Sequence, residues 1–188
     1  MRFDNSTGQA VMSSSDFMAQ TGPLGDVAQA LAQAGQPDRG LAALSAALSA
    51  RVGYRLFTVL VLDRQAGLSR RFYSSQPVAY PTAGAKPIRE DSEFYARVVQ
   101  EGQARICDDR EACRQAFPDH DLIFSLGCES AVNVPVRWNG QTIASLNLLH
   151  QAGWYRQDML AELNWYAALA IPVIQEITHT TRQTGGKP

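Results

Sequence analysis

The stretch Ser130-Ala131-Val132-Asn133-Val134-Pro135-Val136-Arg137-Trp138-Asn139-Gly140-Gln141-Thr142-Ile143-Ala144-Ser145-Leu146-Asn147-Leu148-Leu149-His150 decides the fold. Two apolar, β-type runs flank Asn139-Gly140, the dipeptide best suited to a two-residue type I′ turn because both turn positions need positive φ. A β-hairpin is expected. Pairing Trp138 with Gln141 puts Val132, Val134, Val136, Ile143, Ser145 and Asn147 on one face and Asn133, Pro135, Ala144, Leu146 and Leu148 on the other. Both faces are largely apolar, so both are expected to be covered.

Upstream of the hairpin, Arg55 to Asp63 is β-rich and apolar on alternate and intervening positions alike, which suits a central strand buried on both faces. A turn at Asp63 to Gly67 leads to a second strand, Leu68 to Ser75. The connection Gln76 to Asp91 carries Pro77, Pro81, Gly84 and Pro87 and is read as a long loop, a feature that is often functional. Asp91 or Ser92 can cap a helix with Phe94, Tyr95, Val98 and Val99 on its buried side, ended by Gly102. Gln103 to Cys107 makes a short third strand. Helical pieces at about 110–117 and 119–126 follow, separated by Pro118 and stopped by Gly127.

At the ends, Leu24, Val27 and Leu31 share one helical stripe, stopped by Gly35 and Pro37, and Asp38 is read as the N-cap of a second helix carrying Leu41, Leu44 and Leu48 and closed by Gly53. Residues 1–21 are polar and aperiodic and are expected to form a mobile leader. The last helix is expected over about 155–178, with Met159, Leu163, Tyr166, Ala170, Val173 and Ile177 at helical spacing and a kink at Pro172. Residues 181–188 are expected to be a disordered tail, which leaves 22–180 as one domain.

Composition narrows the function classes. The chain has 188 residues, enough for one hydrophobic core, and its 17 basic and 18 acidic residues alternate instead of forming blocks. Neither a nucleic-acid footprint nor a membrane-binding patch is therefore expected. The apolar run from Leu160 to Ile177 is broken by Glu162, Asn164, Pro172 and Gln175, so no transmembrane helix is expected. The cysteines Cys107, Cys113 and Cys128 are odd in number, which argues for a reducing compartment, by default the cytoplasm.

The order helix, helix, strand, strand, long loop, helix, strand, short helices, hairpin, long helix resembles the GAF domain. Its pair of strands looks like Ser130 to Val136 with Ile143 to Leu148, and Trp154 with Asp158 enters the last helix as the family's aromatic and acidic pair do. The resemblance implies an α+β fold related to profilin and PAS domains, a central antiparallel sheet with the terminal helices packed on one face and pocket helices and loops on the other. It also implies a bacterial, non-enzymatic module that senses an unidentified small molecule and works as a homodimer through its terminal helices, with Trp165 and Tyr166 as candidate contacts. Cyclic-nucleotide-binding members carry a Lys where Leu148 stands and a second acid where Met159 stands, so that family's ion pair cannot form here.

The resemblance places the pocket between one sheet face and the helices and loops after the second strand. Tyr73, Phe94, Tyr95, Phe124, Asn133, Ser145 and Asn147 are the candidate ligand-binding residues; the alternative is core packing for the aromatics, and a satisfied buried polar group for Asn133, Ser145 and Asn147. Arg70, Arg71 and Arg89 could offer charge to an anion. No cofactor is implied. Cys107 and Cys113 have no second pair and His120, His150 and His179 are isolated, so no metal site is expected. One GAF branch reduces free methionine sulfoxide with a thiolate nucleophile, for which Cys128 is the candidate catalytic residue. A third reading is a protein-interaction module with a filled core.

Overall fold

The computed structural model describes residues 2–3, 10–11, 14–82 and 85–184. In chain order the elements are the two-residue strands β1 (Arg2–Phe3) and β2 (Ala10–Val11), helices α1 (Ser14–Leu31) and α2 (Asp38–Arg51), and strands β3 (Leu56–Asp63), β4 (Leu68–Ser74) and β5 (Lys86–Pro87). A π-helical segment, Phe94–Gln100, then precedes β6 (Arg105–Cys107), α3 (Arg110–Ala116), α4 (His120–Ser125), β7 (Ser130–Trp138), β8 (Gln141–His150) and α5 (Leu160–Thr184). The main sheet is wholly antiparallel in the order β5-β4-β3-β8-β7-β6. Its outermost strand β5 is only a two-residue edge, where Pro87 needs no ladder N–H. Among the described residues no helix is long and apolar enough to cross a membrane.

The hairpin forms as its turn requires, with Asn139 at φ 48° and Gly140 at φ 75°, and Trp138 pairs with Gln141. The expected faces, however, hold only for β7. A bulge lies between Val136 and Arg137, so Arg137 faces Thr142 but Val136 faces Ala144, and Ile143 is the extra residue. One inserted residue exchanges the faces of everything beyond it. Ala144, Leu146 and Leu148 therefore join Val132, Val134 and Val136 in the larger core, while Ser145 and Asn147 turn to the face that holds Asn133.

α1, α2 and α5 cover the first face, burying Val27, Leu41, Leu44, Leu48, Leu163 and Ile177 against Phe57, Val59 and Leu146. α1 begins at Ser14 rather than near Gly22 and runs through Pro23. The sequence upstream of the Gly-Pro pair includes the good helix formers Met18, Ala19 and Gln20, so local propensity favours carrying the helix there. The other parts of the expected leader, residues 1, 4–9 and 12–13, lie outside the described residues. Asp38 is the first residue of α2, not its cap; the Gln36 side chain accepts the Gly40 N–H instead. α5 starts after a 3₁₀ turn at Gln157–Met159, runs through Pro172 and continues to Thr184. It thus takes in residues expected to belong to the tail, of which 185–188 lie outside the described residues.

Tyr166 is fully buried in this core, which removes it from the candidate dimer contacts. Its hydroxyl is the one buried side-chain oxygen or nitrogen without a hydrogen-bond partner among the described residues. Trp165, one position earlier, is 65% exposed.

Candidate functional site

On the opposite sheet face, register alone assembles a polar row. Ser74 of β4 stands opposite Thr58 of β3, Thr58 opposite Asn147 of β8, Asn147 opposite Asn133 of β7, and Asn133 opposite Arg105 of β6. All five are buried. The next row is apolar, Leu56, Leu149, Ala131 and Cys107, and forms the floor of a second core with Tyr80, Cys113, Ile123 and Cys128.

The row has a single hydrogen-bond direction. Arginine can only donate, so Asn133 must present its carbonyl to Arg105; Nε and Nη2 of Arg105 donate to Asn133 Oδ1 at 3.0 and 2.8 Å. The Asn133 amide nitrogen then donates to Asn147 Oδ1 at 2.8 Å, which also accepts from Ser145 Oγ at 2.9 Å. Asn147 Nδ2 donates onward to Thr58 Oγ1 at 3.3 Å. A guanidinium at one end thus orients two amides across the sheet.

The Arg105 charge is otherwise poorly balanced. Its side chain is 4% exposed, and its ion partner Glu93 is 3.5 Å away and 66% exposed. The rings of Phe94 and Phe117 lie 5.7 and 5.5 Å from the guanidinium carbon, cation–π distances at which an aromatic face partly replaces water. Phe117 begins a short connection that ends on the other side of the sheet face. Asp119, two residues on, accepts the Tyr80 hydroxyl at 2.7 Å and pairs with Arg71 of β4 at 3.6 Å, while Arg71 stacks over Tyr80 at 3.8 Å and donates to the Pro81 carbonyl. Burial and the Asp119 hydrogen bond push the Tyr80 phenol far above its ordinary value. Phe117 to Asp119 therefore spans the face like a strap fastened at both ends.

All three cysteines are reduced and buried in this second core. Cys107 is held below the usual thiol range by a hydrogen bond from Cys113 and by the Arg105 charge, and the same bond and burial push Cys113 up. Cys128 is fully buried, donates weakly to the Leu126 carbonyl and is pushed up to about 11 by desolvation.

Of the seven candidate ligand residues, the structure joins Asn133, Ser145 and Asn147 in one network and sets Phe94 beside its arginine end. Tyr95 is half-buried on the same π-helical segment, whose N-cap position is Glu93, not the expected Asp91 or Ser92, although Ser92 Oγ accepts the Tyr95 N–H. Phe124 lies on this side too, packed in the second core with Arg110 over its ring at 4.0 Å. Tyr73 is misplaced: it pairs with Val59 and packs on Phe57 in the terminal-helix core. Of the arginines considered for an anion, only Arg71 reaches this face; Arg89 pairs with Asp91. Arg105, Thr58, Tyr80 and Asp119 were not among the candidates. A charged residue inside the otherwise apolar strand Arg105–Cys107 was the signal available for the first.

A sheet with three long helices on one face and short helices, a π-helical turn and a strapped polar row on the other defines a small α+β module of the GAF type. The sequence matches the GAF domain family over residues 24–176, and the chain belongs to that family. No curated protein matches it in sequence. Among solved structures it is similar to the GAF domain of a phosphoenolpyruvate-protein phosphotransferase from Acinetobacter, 14% identical with a TM-score of 0.69 over 89% of this chain and 97% of that one. The corresponding domain from Coxiella burnetii is 14% identical, with a TM-score of 0.65 over 93% and 100%. The free methionine-R-sulfoxide reductase from Neisseria meningitidis is 16% identical, with a TM-score of 0.60 over 94% and 97%. Identities this low establish the shared fold alone.

Proposed function

We propose that the chain is a non-enzymatic sensor domain that binds a small molecule over the polar row and passes the change to a partner through its terminal helices. The observation that carries this reading is the nearly buried Arg105 at the end of the Asn133–Asn147–Thr58 relay, whose only ion partner among the described residues is a mostly exposed Glu93. Few convergent polar groups inside an apolar surround are the usual form of a small-molecule site. The absent lysine and second acid, at Leu148 and Met159, leave cyclic nucleotides without the ion pair that other members use. We place the protein in the cytoplasm as a homodimer, because its three cysteines are free and Trp165 stands open on α5.

The test is a thermal-shift screen with amino acids including methionine sulfoxide, aromatic acids, cyclic nucleotides and common metabolites. A ligand at a hundred times its dissociation constant adds about 2.7 kcal/mol to the native state. A reproducible shift in the wild type that disappears in Asn147→Leu supports the reading, and silence across the screen sinks it.

A second reading is reduction of free methionine sulfoxide, favoured by the gathering of all three cysteines in one buried cluster beside the polar row. Thioredoxin-coupled NADPH consumption with methionine sulfoxide, abolished in Cys128→Ser, would establish it. The raised Cys128 thiol weighs against that residue as a nucleophile.

A further inference from the structure

A second opening lies far from the polar row. A groove of about 610 Å³ runs where the β3–β4 turn and the β7–β8 hairpin meet the last turns of α5. Its floor is apolar, made by Val61, Leu68, Phe72 and Ile143 of the sheet with Ile177 of α5. Ile143 is the bulge residue, and it packs against the terminal-helix core. Trp138 stands in the groove lining at the hairpin end and is 53% exposed.

The rim carries Arg64, Arg70 and Arg182, and none of the three guanidinium groups has an ion pair or hydrogen bond with any described residue. The one carboxylate of the lining, Asp63, is turned to its own loop, where Oδ1 accepts the Ala66 N–H at 3.0 Å. Three unpaired guanidiniums against one engaged carboxylate give the rim a positive local potential in a protein whose formal net charge is −1.

We infer that this groove is a binding site for a small amphipathic carboxylate. The apolar floor takes a hydrocarbon or aryl body, since removing such surface from water contributes about 25 cal/mol per Å². The carboxylate pairs with Arg70 and Arg182, whose planar forks match a carboxylate in two-point geometry. The groove also falls in the roughly 300–1,000 Å³ range of small-molecule sites. Because its walls come from both the sheet and the end of α5, an occupant would tie Ile177 and Arg182 to the hairpin. The inference stands apart from the polar-row reading, and either can fail without the other.

Decanoate, kept below its micelle concentration, is the probe, with Trp138 emission and backbone-amide NMR shifts as readouts. The expected result is saturable binding with shifts at Phe72, Ile143 and Ile177, and loss of the emission change in Trp138→Phe. The Arg70→Gln/Arg182→Gln double variant, altered only at exposed side chains, is expected to bind about tenfold more weakly, and decanol to bind at least about tenfold more weakly than decanoate. Asn147→Leu, altered in the polar row, is expected to bind decanoate as the wild type does. Absence of saturable binding, equal affinity for decanol, or undiminished binding by the double variant would each overturn the inference. So would amide shifts confined to β6 and the π-helical segment.

Discussion

Asn133 accepts two of the five N–H bonds of a guanidinium that is almost sealed from water. Asn133→Ala leaves those donors and the Asn147 carbonyl short of partners, so we expect a loss of about 3 kcal/mol in urea unfolding; a loss below about 0.5 kcal/mol would mean that water replaces the amide. His150 offers a pH-dependent counterpart. Its ring stacks on Trp154 at 3.8 Å and Nδ1 accepts the Gln151 N–H, and desolvation, then the Arg55 charge, lower its pKa. The neutral ring is thus favoured in the folded state. Its contribution to stability is complete above the unfolded value of about 6.5 and is lost as pH falls through the lower folded value, because the unfolded chain then binds the proton more readily. The melting temperature is expected to fall between about pH 6.5 and 5 more steeply in the wild type than in His150→Phe; parallel curves would show that His150 contributes nothing to the slope.

The hairpin shows how far an element can be read before it is folded. Its existence, turn type and closing pair followed from Asn139-Gly140 and the flanking apolar runs, which are local properties. Gly140 sits at φ 75° with no atom within 4 Å of an added Cβ, so Gly140→Ala should cost about 1 kcal/mol from backbone strain alone, measured by urea denaturation; an unchanged midpoint would mean that the turn is not held in the type I′ form. The faces of β8 could not be read in the same way. Thr142, Ile143 and Ala144 present no local preference for where an extra residue enters. Packing selects the bulge that buries Leu146 and Leu148 under the helices and sends Ser145 and Asn147 to the other side. The same holds for β4, where a register shift opposite Val59 and Leu60 sends Tyr73 to the helix core and Arg71 to the strap.

Across the whole molecule, α1 and α5 leave an open strip where Leu24, Trp165 and Leu169 adjoin Gly22 and Gly25. A Cβ added at either glycine would meet no atom within 4 Å, room that lets a second helix pair approach closely. We expect a two-fold dimer there, converted to monomer by Trp165→Arg with little change in monomer stability, since the side chain is exposed; light scattering that finds a monomeric wild type at about 100 μM would end that expectation. What the sequence determined by itself was everything governed by neighbours along the chain: the number and order of the main strands, the hairpin turn, the helical stripes of α2 and α5, and the family. What only the tertiary structure decided was everything that depends on register between distant strands: the alignment of Ser74, Thr58, Asn147, Asn133 and Arg105 into one row, the strap from Phe117 to Asp119, and the groove floored by Ile143. The physical reason is that side chains alternate with a period of two, so a single inserted residue exchanges inside for outside at no local cost, and only the burial of a whole face selects between the two.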